Sequence, residues 1–192
     1  MSEDTSGFVP RHFELSFGLH QRAAHRHADP RSVSEAVDLD CGIQLRGSID
    51  LVERHPNGLL RVTDHKTGKF AGANDLVIDG GRSLQPVLYA LAAEKLFEGE
   101  GDVSEGRLYF CTSAGQFSEQ AVALDERARK AAVEVATAIG DAIERPFLPA
   151  APGEGQCESC DYRAICGPYE ELRSARKPQG DLELLQGLRA RK

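Results

Sequence analysis

No apolar run in this chain approaches the length of a membrane span, so no bilayer-crossing helix and no membrane partner are expected. A secretory leader is not expected either. The opening segment, MSEDTSGFVP, is acidic and polar and lacks the apolar stretch such a signal needs. A cytoplasmic location follows as the expectation. The sequence also lacks an excess of positive charge: 23 Lys and Arg stand against 30 Asp and Glu, for a formal net charge of −7. That sign excludes a protein that holds nucleic acid by bulk electrostatics alone. It leaves open one whose carboxylates recruit cations. Nor is there an even set of cysteines. Five are present, which fits poorly with a closed disulfide framework. No internal repeat is visible.

What is present suits one globular domain with a real core. The chain has 192 residues, 41% hydrophobic and 28% charged. Residues 1–11 read as unstructured. HFELSFGL (12–19) alternates apolar and polar residues and predicts a strand. HQRAAHRHADPRS predicts a polar loop. EAVDLDCGIQLRGSIDLVERH (35–55) alternates over a long stretch and predicts two strand segments with a bend near Gly42 or Gly47. HPNG (55–58) is a turn, because Asn-Gly tolerates positive φ, and LLRVTDHK (59–66) returns as the partner strand of an antiparallel meander.

The second half predicts two helices and a hairpin. In residues 80–99, Leu84, Val87, Leu88, Leu91, Leu96 and Phe97 recur at helical spacing, with Ser83 as cap and Pro86 in the first turn. GRLYFCTS and QFSEQAVAL, joined around Ala114-Gly115, read as the hairpin. DERARKAAVEVATAIGDAIE (125–144) predicts a helix capped by Asp125, with Ala131, Val135, Ala138, Ile139, Ala142 and Ile143 as its apolar face. RPFLPAAPGEGQ ends the core. A mixed sheet with helices follows, of α+β or α/β class. The core is expected over 12–150, a cysteine segment over 151–170 and a polar tail over 171–192. The basic residues Arg173, Arg176, Lys177, Arg189, Arg191 and Lys192 read as that tail's solvated charge.

The chemistry concentrates in RGSID and VTDHKTGK. The turn between them brings Asp50 and Asp64 towards one end of the sheet. Lys66, two residues beyond Asp64, points to the same face in an extended chain. Two carboxylates bind Mg²⁺ or Mn²⁺ through oxygen, and the backbone carbonyl of His65 can add a ligand. A lysine ammonium orients or helps deprotonate an attacking water and stabilises charge on phosphorus. The plainer reading is a surface ion pair at i and i+2. Gln85 and Tyr89, four apart on the predicted helix, share a face. They suit a hydrogen bond to phosphate and a stacking or hydroxyl contact, or equally a helix boundary and a half-buried aromatic. Cys41 and Cys111 sit in apolar runs as small core residues. Cys157-x₂-Cys160-x₅-Cys166 has metal-ligand spacing, with Zn²⁺ or free thiols as the other readings.

Taken in order, GSIDLVE…GLLRVTDHKTGK, LQPVLYA and CESCDYRAIC resemble the RecB- and AddB-type nucleases of the PD-(D/E)XK superfamily, from about Phe13 to about Cys166. The resemblance implies an α/β fold: a central mixed sheet flanked by helices, a restriction-endonuclease-like core, and a small C-terminal cysteine segment. Asp50 and Asp64 match the metal-binding acids, Lys66 the catalytic lysine, and Gln85 and Tyr89 the Q-x-x-x-Y motif that contacts DNA. Cys157, Cys160 and Cys166 match the triplet of a [4Fe–4S] cluster, held by thiolates, normally four. The implied activity is Mg²⁺- or Mn²⁺-dependent exonucleolytic hydrolysis of single-stranded DNA or duplex ends, alongside a helicase subunit in repair or recombination. Two elements of the pattern have no match here: the cluster's fourth, upstream cysteine, and a metal-binding histidine on an upstream helix, since His12, His20, His25 and His27 sit in no such motif. The expectation is therefore a C-terminal part of a longer protein. The alternatives are a catalytically impaired module that binds DNA ends or scaffolds the same complex, and a zinc-stapled protein unrelated to nucleic acid.

Overall fold

The computed structural model describes residues 6–19, 29–70, 77–145, 150–153, 155–167, 169–176 and 178–191. His20, His25 and His27 lie outside the described residues, as does most of the polar loop expected around them.

Five strands form the main sheet in the order β1-β4-β5-β6-β7. β1 (Val9–Phe17), β4 (Gly47–Arg54) and β5 (Leu60–Lys66) make the antiparallel meander. β1 starts at Val9, inside the stretch expected to be unstructured. The turn after β4 is the Asn-Gly turn: Gly58 has φ 98°, and Asn57 Oδ1 accepts the Leu59 N–H at 3.1 Å. Between β1 and β4, β2 (Val37–Asp38) and β3 (Gln44–Leu45) pair in a small hairpin that bends at Gly42, φ 90°.

β5 then crosses through α1 (Gln85–Leu96) to β6 (Val103–Phe110), which lies parallel to it, and β7 (Glu119–Ala123) returns antiparallel. The sheet is mixed and flanked by helices, an α/β arrangement consistent with the restriction-endonuclease-like fold. α1 packs on β5 and β6, and α2 (Glu126–Glu144) packs on α1. α1 is therefore covered on more than one side, and Pro86, Val87, Ala90, Leu91, Ala92 and Ala93 are all buried. A helix between two layers has no need of a polar face.

Three expectations change. Ser83 does not cap α1: its Oγ is buried without a partner, and the helix starts after Leu84 with Pro86 in its first turn. Asp125 does cap α2, accepting the Ala128 N–H at 2.9 Å. The buried stripe of α2, however, is Ala128, Ala132, Val135 and Ala136, and Ile143 is 67% exposed. The fully buried positions of that helix end at Ala136, and of its later apolar residues Ala138 and Ala142 are half-buried while Ile139 and Ile143 are exposed. The expected polar tail is also folded. α4 (Glu170–Ala175) and α5 (Glu183–Arg189) follow the cysteines, and α5 docks on the 3-10 turn Asp79–Gly81 that precedes α1. Leu182 is buried, Leu188 packs on the core, and the Gly80 N–H donates to Arg191 O at 2.7 Å. Arg191 pairs with Glu134 at 2.9 Å. A few leucines anchor a segment whose charge suggests solvent.

The sheet's other face is polar and still buried. Glu53 is 4% exposed. Burial pushes its pKa up, but hydrogen bonds from Arg61 and Thr63 and the charge of Arg107 outweigh burial and hold it below the ordinary glutamate value. Its stabilisation is therefore complete above the unfolded-state pKa and is lost as pH falls through the lowered folded-state pKa. The Glu53→Gln protein is predicted to be less stable than wild type by about 3 kcal/mol at neutral pH, with the gap closing on acidification. Urea unfolding at a series of pH values measures this, and a gap that does not vary with pH would contradict it.

Candidate active site

The site begins where two strands part. The β4–β5 ladder runs from Arg54↔Leu60 to Leu51↔Thr63 and stops there. One step further, Asp50 would stand opposite Asp64. At Asp50 the alternation of β4 also breaks: Ile49 and Val52, three apart, both enter the apolar core. Glu14, across from Asp50 on β1 between the pairs Phe13↔Leu51 and Leu15↔Ile49, has φ 51°. In the gap the Asp50 side chain replaces a ladder bond. Its Oδ2 accepts the His65 backbone N–H at 2.7 Å, and the His65 ring Nδ1 lies 3.6 Å from the same oxygen.

On β5, alternation sends Val62, Asp64 and Lys66 towards α1. Asp64 is only 7% exposed. Its Oδ1 accepts from Gln85 Nε2 at 3.2 Å, and the Lys66 ammonium stands 2.6 Å from Oδ2. That short contact is one of charge rather than of aligned bonding, because Oδ2 is buried without a hydrogen bond. An Nζ–H of Lys66 donates to Gln85 Oε1 at 2.5 Å. Gln85 thus bridges acid and base, and only one orientation of its amide works. A flipped amide would set NH₂ against the ammonium and oxygen against the carboxylate.

Two glycines admit the helix that carries Gln85 and Tyr89. A Cβ on Gly106 would lie 1.9 Å from Pro86 O and 2.8 Å from Pro86 Cα, so the first turn of α1 rests directly on the β6 backbone. A Cβ on Gly47 would lie 3.1 Å from the Tyr89 hydroxyl oxygen. Tyr89 is half-buried there, edge-on to Phe17 with centroids 6.2 Å apart. Asp64, Lys66 and Gln85 are therefore joined directly. Asp50 is joined to the same strand end through the backbone of His65, and Tyr89 lies one helical turn beyond Gln85. The importance of Gly106 escapes a sequence reading of motifs. Its one signal is a glycine inside a strand pattern, which marks a close approach of backbone.

The upstream histidine that is described, His12, is engaged elsewhere. Its Nδ1 lies 3.2 Å from both oxygens of Asp29, and its ring packs on Phe97 at 4.9 Å. Cys157 is buried in the 3-10 turn Gln156–Ser159, Cys160 is exposed, and Cys166 ends the short helix α3 (Arg163–Cys166). Cys157 borders a groove of about 910 Å³ that Arg163, Tyr169 and Glu170 also line. Burial, then the carboxylates of Glu171 and Glu170 and the other two thiols, push the Cys157 thiol up, away from the thiolate a metal needs. Cys41 packs against the core and Cys111 lies beside the Lys66 carbonyl, so neither joins them.

Among the described residues no three His, Cys, Asp or Glu side chains converge to hold an ion. Two carboxylates suffice for Mg²⁺, which keeps several waters and takes one or two protein carboxylates. The buried, unbonded Asp64 Oδ2 is the observation that fits such an ion. A family model described as the PD-(D/E)XK nuclease superfamily matches residues 2–167.

The chain belongs to the PD-(D/E)XK nuclease superfamily.

No individual curated protein matches it. Nucleases of this superfamily are in general phosphodiesterases that use divalent metals on DNA. In this PD-(D/E)XK chain the matched region runs from before β1 to just past Cys166, so sheet, site and cysteine segment fall within one family unit.

The close seating of α1 on β6 gives a direct prediction. Gly106→Ala should destabilise the protein by about 2 kcal/mol or more, as overpacking does. Gly140→Ala, in α2 with nothing within 4 Å of its added Cβ, should stabilise by about 0.5–1 kcal/mol. Urea unfolding of the two variants checks the contrast; equal effects would show that α1 does not depend on Gly106.

Proposed function

We propose that this chain is a metal-dependent DNA exonuclease domain, of the RecB and AddB type, within a helicase–nuclease repair or recombination enzyme. The single observation that carries the nuclease part is the Asp64–Lys66–Gln85 cluster at the end of β5, with Asp50 tied to the next backbone N–H. In this reading Asp50 and Asp64, with the His65 carbonyl, hold Mg²⁺ or Mn²⁺. The ion supplies charge neutralisation at the phosphoryl group and an activated water. Lys66 orients that water and stabilises the charge that builds on phosphorus. Gln85 fixes Lys66 and Asp64 relative to each other, and Tyr89 lines the DNA side of the helix. A cation on Asp64 Oδ2 would take the place of the Lys66 contact there, and the ammonium would then be available to substrate.

The cysteine spacing supports a narrower reading beside this one: Cys157, Cys160 and Cys166 as three ligands of a structural [4Fe–4S] cluster. Holding it requires the three thiols to deprotonate and close on one point, with a fourth ligand that neither Cys41 nor Cys111 supplies. A scaffold that binds DNA ends without cleaving them is the competing function. The intact acid–lysine–glutamine cluster speaks for cleavage, and the engagement of His12 by Asp29 speaks for the scaffold.

Degradation of single-stranded DNA is expected with Mg²⁺ or Mn²⁺ and not with a chelator. Lys66→Ala should lower the rate at least about 100-fold, the scale of a removed acid–base or charge-stabilising group, without loss of DNA binding. DNA loss at the wild-type rate in that variant would refute the assignment. For the cysteines, protein purified without oxygen should be brown and contain iron and sulfide. Zinc without iron on metal analysis would reject the cluster.

A further inference from the structure

The sheet face turned away from α1 buries charge where a sheet usually buries aliphatic side chains. Glu53 on β4, Arg61 and Thr63 on β5, and Arg107 on β6 are 4%, 4%, 0% and 9% exposed. The Glu53 carboxylate accepts from Arg61 Nε at 2.8 Å and Nη2 at 2.9 Å, from Thr63 Oγ1 at 2.8 Å, and from Arg107 Nη2 at 3.1 Å. Arg107 also donates from Nε to Thr63 Oγ1 at 3.1 Å and from Nη1 to Glu119 Oε2 at 3.0 Å, which carries the network to β7. Arg61 Nη1 lies 3.8 Å from Glu105 Oε1. One carboxylate thus gathers donors from two neighbouring strands.

We propose that Glu53, Arg61, Thr63 and Arg107 are positioning residues for the nuclease site, acting as the lock that sets the register of β4, β5 and β6. The proposal rests on the reading of Asp50, Asp64 and Lys66 given above. Buried ion clusters are poor stabilisers: replacing one by apolar residues of similar volume is often neutral or favourable. What such a cluster does supply is a unique arrangement. The apolar pattern alone does not fix the register here, because a slip of two residues returns every side chain to its own face; the Asn57-Gly58 turn constrains the β4–β5 pairing at its own end, away from Asp50, and no turn constrains β6 against β5. Such a slip would move Asp64 about 7 Å along the strand relative to Asp50. It would also withdraw the His65 N–H from the Asp50 carboxylate. The core would lose little, but Glu53 would lose Arg61, its register partner, and Thr63 would move away from Leu51. On the other side, Arg61↔Glu105 and Thr63↔Arg107 tie β5 to β6 in the same way. Thr63 directly precedes Asp64 and Glu53 lies three residues after Asp50, so the lock sits on the back of the strands that carry the site.

The test compares two variants of the full chain. Glu53→Gln removes the carboxylate charge that both buried guanidinium groups share and should lower stability in urea. The fourfold variant E53M/R61M/T63V/R107L removes the whole network and should regain wild-type stability. It should nevertheless bind Mn²⁺ about tenfold or more weakly by calorimetry, the scale on which groups behind metal ligands act. It should also cleave DNA with a reduced kcat, and nuclear Overhauser contacts between β4 and β5 should report more than one register. A fourfold variant with wild-type Mn²⁺ affinity and the single Leu51↔Thr63 register would overturn the proposal. So would one less stable than Glu53→Gln, since the network would then serve stability alone. Should wild type neither bind Mn²⁺ nor cleave DNA, the nuclease reading fails, and the register contacts still decide whether the network is a lock.

Discussion

Burying a carboxylate at the end of a strand costs several kcal/mol unless its oxygens find partners, and Asp64 is such a carboxylate. Its compensation comes from Lys66, two residues along the same strand, and from Gln85, on a helix that must begin at one place to reach it. That place is set by the absence of a side chain at Gly106, where Pro86 lies against the β6 backbone. The compensation is incomplete, because Oδ2 accepts no hydrogen bond. An oxygen held by an ammonium contact and by no aligned hydrogen bond is the one that the proposed function gives to a cation.

The rest of the fold can be ordered around that point. The front of the sheet is apolar and carries α1, a helix buried on more than one side because α2 lies over it. The back of the same strands is held by Glu53 and its arginines, with Arg61 also beneath the Phe8 ring at 4.3 Å. α5 returns to the turn at Asp79–Gly81, immediately before Gln85. Each of these contacts bears on where β5 ends or where α1 starts. The divergence of β4 and β5 after Leu51↔Thr63 then opens the space between Asp50 and Asp64.

Local chemistry was readable from the residues, and tertiary context was not. Asn57-Gly58 marks its turn and Asp125 its helix start, because each rests on bonds within a few residues. Alternation in 59–66 places Asp64 and Lys66 on one face. Ser83 fails as a cap because the chain enters α1 through Leu84 instead. Ile139 and Ile143 mislead because helical spacing says which residues share a face and not whether another layer reaches it. The C-terminal segment reads as solvated because its charge outnumbers the two leucines, Leu182 and Leu188, that dock it. Within the site, the link from Asp50 runs through the His65 backbone N–H, which no side-chain motif encodes. The Glu53 network was invisible for the same reason. Glu53, Arg61 and Arg107 stand on three neighbouring strands, and only the register shows them meeting.

Crystals grown with Mn²⁺ and measured for anomalous scattering address the site most directly. The expected result is a peak bonded to Asp64 Oδ2 at about 2.1 Å, the length usual for an octahedral oxygen site, with an Asp50 oxygen as a second ligand and Lys66 displaced from its contact with Asp64. Mn²⁺ bound elsewhere, with the Lys66–Asp64 contact intact and Asp50 still occupied only by the His65 N–H, would contradict the assignment of this strand end as a metal-dependent nuclease centre.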